Sequence, residues 1–122
     1  MFSLDYRDSK PIYEQIKDRF RTLIISGVIE EGERMPSVRS LASSLSVNPN
    51  TIQRAYRELE QEGYLLSIPG KGSIATHSKE ADQHRKEELF REIRKNIREL
   101  RNLSVTEDEL LQLLKEDETV HD

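Results

Sequence analysis

At 122 residues, with 34% hydrophobic and 34% charged side chains, the chain is one domain or one domain with an appendage, and its small core leaves no room for a large ligand domain. It has no cysteine, which excludes disulfides, thiolate metal sites and thiol redox sensing and agrees with a reducing compartment. The net charge is −4, but residues 1–78 carry ten Lys/Arg against ten Asp/Glu and residues 79–122 nine against thirteen, so the negative balance sits in the C-terminal part.

The first residues contain acids and no apolar run, and nothing approaches the roughly 18 consecutive apolar residues of a membrane span, so a soluble, cytoplasmic protein without membrane contact is expected. Residues 1–10 read as irregular, with Ser9 placed to cap a helix over residues 11–26. There Ile12, Ile16, Phe20, Leu23 and Ile24 recur at helical spacing, and Gly27 closes the run. Glu30, Glu31, Gly32 and Glu33 form a turn. A shorter helix follows, with Ser37 as N-cap and Val38, Leu41, Ala42 and Leu45 as its buried side.

After the tight link at Ser46, Val47 and Asn48, the third helix spans residues 49–62, with Asn48 as N-cap, Pro49 at the first helical position and Gly63 as the stop. At about 100° per residue, Ile52, Ala55, Tyr56 and Leu59 make one narrow apolar stripe. Asn50, Gln53, Arg54, Arg57 and Gln61 share the polar side. Amides and guanidinium groups match base edges in the major groove bidentately. An ordinary surface helix also has a polar face, but from Arg34 to Arg57 there are four arginines and no Asp or Glu. A face meant for phosphates should exclude carboxylates. The two short helices and their link therefore read as a helix-turn-helix.

Beyond Gly63 the period changes. Residues 64–68 and 73–76 read as two short strands around Pro69 and Gly70, a type II turn signal, with Lys71 at the hairpin tip between Gly70 and Gly72. From Lys79 the chain is helical and charged, and Leu89, Ile93, Ile97, Leu100 and Leu103, with Phe90 beside them, form an apolar stripe. Thr106 and Glu109 make a capping box, with Val105 and Leu110 placed for a hydrophobic staple. The last helix carries Leu110, Leu111, Leu113 and Leu114 and ends in an acidic tail, residues 116–122, expected to fray. A two-helix hairpin has an open side; a second copy would close it, as would packing back onto the first domain. The reading adopted is dimerisation.

No catalytic constellation can be assembled, and no cofactor is implied. Ser37, Ser40, Ser43 and Ser44 have no histidine near them in sequence. The histidines at 77, 84 and 121 lack a second ligand at helical spacing, so no metal site is expected and solvent-exposed imidazoles are the default. The Gly70-Lys71-Gly72 run has neither the spacing nor the following helix of a P-loop.

The run PSVRSLASSLSVNPNTIQRAYRELEQEGYL followed by PGKGS, with KPIYEQIKDRFRTLIISGVIEEGERMPSVR upstream, strongly resembles the DNA-binding domain of GntR-family bacterial transcription regulators over residues 9–76. The short C-terminal region resembles the YtrA type, because the larger effector domains and the aminotransferase-like domain of other branches cannot fit. The resemblance implies an α+β, mainly α, winged helix-turn-helix over residues 1–78 and a helical dimerisation region, or effector region, over 79–122. It further implies a homodimer that binds a near-palindromic operator in double-stranded DNA and represses its own operon, often one encoding an ABC transporter. Family DNA contacts carry over to Arg39, Asn50, Thr51, Gln53, Arg54, Gly70 and Lys71, with Arg57 as a phosphate contact. Ile68-Pro69 departs from relatives that place a basic residue before the wing glycine. The dimer surface would be Leu89, Phe90, Ile93, Ile97, Leu100, Leu103, Leu110, Leu111 and Leu114. Whether a small-molecule effector acts, at the dimer interface or between tail and wing, stays open, and a protein-interaction module with a helical scaffold is the alternative to DNA binding.

Overall fold

The computed structural model describes the backbone of residues 3–120 and the side chains of residues 3–116. Its elements run α1 (Ile12–Ile25), α2 (Val38–Leu45), α3 (Pro49–Glu62), β1 (Leu65–Ile68), β2 (Gly72–Ala75), α4 (Lys79–Asn102) and α5 (Glu107–Val120). The fold is mainly helical with one antiparallel hairpin, as expected. Two compact units divide the chain, Met1–Arg85 and Lys86–Asp122. The division falls beyond residue 78 because the first turns of α4 belong to the first unit, where Ala81 is buried.

In the first unit α3 packs on α1, α2 and β1. The core is drawn from one face of each helix: Ile16, Phe20 and Ile24 of α1, Leu41 and Ala42 of α2, and Ile52, Ala55, Tyr56 and Leu59 of α3. Phe20 meets Tyr56 edge to face, with ring centroids 5.8 Å apart. The caps act where the sequence places them. Ser37 accepts from the Ser40 N–H at 3.0 Å, and Asn48 from the Asn50 N–H at 2.8 Å. Gly63 ends α3 at φ 91°, and a Cβ there would lie 3.2 Å from that of Ala81, so both backbone conformation and packing call for glycine.

The start of α1 corrects one expectation. Its N-cap is Pro11, whose carbonyl accepts from the Glu14 and Gln15 N–H groups at 3.1 and 3.2 Å, and no side chain caps it, Ser9 included. Gln15 instead reaches back to bond the backbone of Asp5 and Lys10 and so holds the N-terminal arm.

The hairpin pairs Leu65 with Ala75 and Ile68 with Gly72 across a turn in which the Lys71 N–H donates to the Ile68 carbonyl at 2.9 Å. Gly70 sits at φ 79°, as the second central residue of a type II turn requires. The outer edge of β2 is also paired. Gly32 and Met35 donate to Ala75 and Ser73, and Ala75 donates to Glu33, each at 2.8 Å, so the segment before α2 bridges to β2 at Arg34 and Ile74. That pairing leaves the wing without an open edge on this side.

In the second unit α4 ends with the Val105 N–H bonded to the Leu100 carbonyl at 3.1 Å and Ser104 left-handed at φ 66°. The capping box then starts α5: Thr106 Oγ1 accepts from the Glu109 N–H at 3.2 Å and Glu109 Oε1 from the Thr106 N–H at 3.1 Å. Val105 and Leu110, the residues placed for the staple, are both half-buried. Helical backbone continues to Val120, and residues 121–122 of the acidic tail lie outside those described. Among the described residues no helix is long and apolar enough to cross a membrane.

Candidate nucleic-acid interface

Helix α3 presents Asn50, Gln53, Arg54 and Arg57 at positions i, i+3, i+4 and i+7, all exposed, while Thr51 beside them is half-buried. Arg39 is exposed on α2, and Gly70 and Lys71 are exposed at the hairpin tip. Among the described residues Arg39, Arg57 and Lys71 form no ion pair, so their charge is available to an anionic partner. The hairpin is bonded to α3 through Ser67, whose Oγ donates to Glu60 Oε2 at 3.1 Å.

Arg54 differs from the other three cations. Its guanidinium carbon lies 3.7 Å from the centroid of the Tyr13 ring, Nη2 donates to the Tyr13 hydroxyl at 3.0 Å, and Nε donates to Glu58 Oε2 at 3.2 Å. Tyr13, Asn48, Asn50, Thr51 and Arg54 line a cleft of about 330 Å³ where the first turns of α1 and α3 meet. None of the described residues that line it is acidic.

Below this cleft a ladder of charges joins the two helices. Lys17 donates to Glu58 at 2.7 Å and lies 3.1 Å from Glu62, and Arg21 donates to Glu62 at 3.0 and 2.7 Å. Arg21 also reaches Asp18 at 2.9 Å, and Asp18 accepts from Lys10 at 2.7 Å. The rungs Tyr13–Arg54, Lys17–Glu58 and Arg21–Glu62 each join residues 41 apart, so α1 and α3 run side by side in the same direction. The Lys17 hydrogen bond holds the Glu58 carboxyl below its ordinary range despite partial desolvation. Burial works against the Lys17 ammonium, yet its bonds to Glu58 and Glu62 outweigh that and raise its pKa.

Tyr13 and the ladder belong to no sequence motif. The signal was present: Tyr13, Lys17 and Arg21 recur every four residues on α1, as Arg54, Glu58 and Glu62 do on α3, with opposite signs at the lower rungs. Of the histidines expected to be exposed, His77 departs. His77 is half-buried and bonded through Nε2 to Asp82 at 2.8 Å, while the other Asp82 oxygen accepts from the buried Tyr64 hydroxyl at 2.9 Å. His84 is exposed, and His121 lies outside the described residues.

The leucines and aromatics assigned to a dimer surface all lie in the second unit. Leu89, Phe90, Ile93, Leu103, Leu111 and Leu114 are exposed there, with Phe90 at 56% and Leu103 at 70%, whereas Ile97, Leu100 and Leu110 are half-buried.

Two short helices in a tight turn, the second with an amide- and arginine-rich face, followed by an edge-paired hairpin, define a winged helix-turn-helix DNA-binding domain of a transcription regulator. Residues 12–74 match the family model described as "Bacterial regulatory proteins, gntR family". The chain belongs to the GntR family of regulators. It is 41% identical over 78 residues to the HTH-type transcriptional repressor YtrA of Bacillus subtilis, a match covering 64% of this chain and 60% of that protein. Its fold superposes with a TM-score of 0.80 and 32% identity on the crystal structure of a transcriptional antiterminator from Listeria monocytogenes EGD-e, over 97% of this chain and 90% of that one. The DNA-binding domain of AraR in complex with operator ORR3 matches with a TM-score of 0.53 and 26% identity, over 62% of this chain and 92% of that one.

Proposed function

We propose that this regulator is a homodimeric repressor, with residues 1–78 binding DNA and residues 79–122 dimerising. The observation that carries the DNA half is the run from Arg34 to Arg57, four arginines with no Asp or Glu, which leaves Asn50, Gln53, Arg54 and Arg57 exposed on α3 with Arg54 in contact with Tyr13. The likeness to a bound operator complex supports the same placement of the domain on duplex DNA. In this reading Asn50, Gln53 and Arg54 read base edges from the major groove, Thr51, Arg39 and Arg57 contact the sugar-phosphate backbone, and Gly70 lets the wing bring Lys71 to a phosphate.

The exposed apolar face of α4 and α5 supports the dimer, since Leu89, Phe90, Ile93 and Leu103 would otherwise stay in water. Two copies on a two-fold axis would set recognition helices about 34 Å apart on a near-palindromic operator. The likeness to a named repressor supports repression, and the family resemblance supports an autoregulated operon of the kind that encodes an ABC transporter. Such a protein works in the cytoplasm beside the chromosome.

Fluorescence anisotropy on duplexes from the promoter of its own gene and on scrambled duplexes, over a range of salt, tests this reading. Tighter promoter binding at every salt, with log K falling steeply against log salt, is the expected result. Equal binding to both duplexes, or none at low salt, overturns it. Sedimentation of the free protein as a monomer at micromolar concentration would refute the dimer.

A further inference from the structure

We propose that Tyr13, on α1 and outside the helix-turn-helix, is a positioning residue for base recognition, holding the Arg54 guanidinium ready for a guanine; this rests on the DNA-binding reading above. An arginine exposed on a helix ordinarily samples many rotamers and must be ordered when it binds. In the free chain the Arg54 guanidinium carbon lies 3.7 Å from the Tyr13 ring centroid, and the group donates to the Tyr13 hydroxyl and to Glu58.

The donor count leaves Arg54 with N–H groups still to give. Arginine has five N–H groups. Nε–H is given to Glu58 and one Nη2–H to Tyr13, which leaves both hydrogens of Nη1 and the second of Nη2. A side-by-side pair, one from each terminal nitrogen, is what the O6 and N7 atoms of guanine accept. The Tyr13 hydroxyl itself donates to Glu14 at 3.2 Å, so its lone pair is turned to Arg54. Glu58 carries no lone negative charge toward a phosphate, because Lys17 binds it at 2.7 Å. Tyr13 is only half-buried, so its ring borders the cleft rather than filling the core.

The test uses the full chain and duplexes selected by it from a random library. Affinity is measured for the selected duplex and for every single base-pair substitution of it, with wild type, Arg54→Ala, Tyr13→Leu and Tyr13→Phe. Arg54→Ala marks the base pair that Arg54 reads. At that base pair Tyr13→Leu is expected to lose roughly three- to fivefold in discrimination, the scale of an exposed cation–π contact, with other positions and the salt slope unchanged. Tyr13→Phe, which keeps the ring, is expected to recover most of it. Tyr13→Gln, which keeps an acceptor without a ring, repeats the test if the leucine variant does not fold. A uniform loss at all positions, or none, with Arg54→Ala still relaxing one base pair, overturns the role of Tyr13 and leaves the DNA reading standing. If Arg54→Ala relaxes no position while wild type still selects a sequence, the role of Tyr13 falls and the DNA reading stands; if wild type selects no sequence, both fall.

Discussion

Arg21 gives two of its N–H groups to one oxygen of Glu62, at 3.0 and 2.7 Å, with its side chain only 6% exposed. This pair, with Lys17 on the same carboxylate, fixes how the first helix lies on the recognition helix. Removing one partner leaves a desolvated charge with a single remaining counter-ion, Asp18 for Arg21 or Lys17 for Glu62, which costs more than the pair contributes. Glu62→Gln and Arg21→Met are each expected to lower unfolding free energy by about 2–4 kcal/mol. The double variant should lose less than the sum, and urea unfolding of the four proteins measures the difference.

Acid should dissolve the same ladder. Burial raises the pKa of Asp18, but its bonds to Lys10 and Arg21 outweigh this, and the net pKa lies below the ordinary 3.8; Glu58, bonded to Lys17, lies below 4.5. A carboxyl depressed in the folded state contributes stability that is complete above its ordinary pKa and is lost as pH falls through the folded value. Thermal midpoints are therefore expected to hold near neutrality and to fall once pH drops below about 4.5. In Glu58→Gln the part of this fall due to Glu58 should disappear. A midpoint that fell equally in wild type and variant would contradict the assignment.

Tyr56 is a core residue with one polar duty. Its hydroxyl donates to the Pro36 carbonyl at 2.7 Å, tying α3 to the entry of α2, and burial pushes its pKa up. Tyr56→Phe keeps the ring contact with Phe20 and removes the bond, so a loss of about 1 kcal/mol is expected in denaturant unfolding.

The turn between α2 and α3 holds Ser46 at φ 56°. A side chain resists that conformation, and glycine adopts it freely. Ser46→Gly is expected to raise unfolding free energy by about 0.5–1 kcal/mol and leave operator affinity unchanged. A lower thermal midpoint would show that the serine contributes something the backbone angle does not reveal.

Features encoded within a few residues were legible in advance. Ser37, Asn48 and Thr106 cap helices through neighbours two or three positions away, and Pro69-Gly70 sets its own turn, so the helices and the hairpin follow from local chemistry. Pairings across the fold were not. The strip at residues 32–35 has no alternating pattern to mark it, and its ladder depends on β2 lying beside it. Ser9 looked like a cap, but Pro11 already had the extended backbone that starts the helix, at ψ 150°. The polar face of α3 was visible on a helical wheel, whereas the grip of Tyr13 on Arg54 depends on how two helices 41 positions apart come to register.

That constant offset governs which insertions the domain can absorb. A residue gained or lost between α1 and α3 would change the offset equally for all three rungs and leave their spacing intact. A residue inserted between Tyr13 and Lys17 would turn the first rung about 100° away from the other two and release Arg54 while leaving Glu62 clasped. Length variation among natural or designed relatives with this ladder should therefore gather in the turns, with the interval from Tyr13 to Arg21 kept fixed.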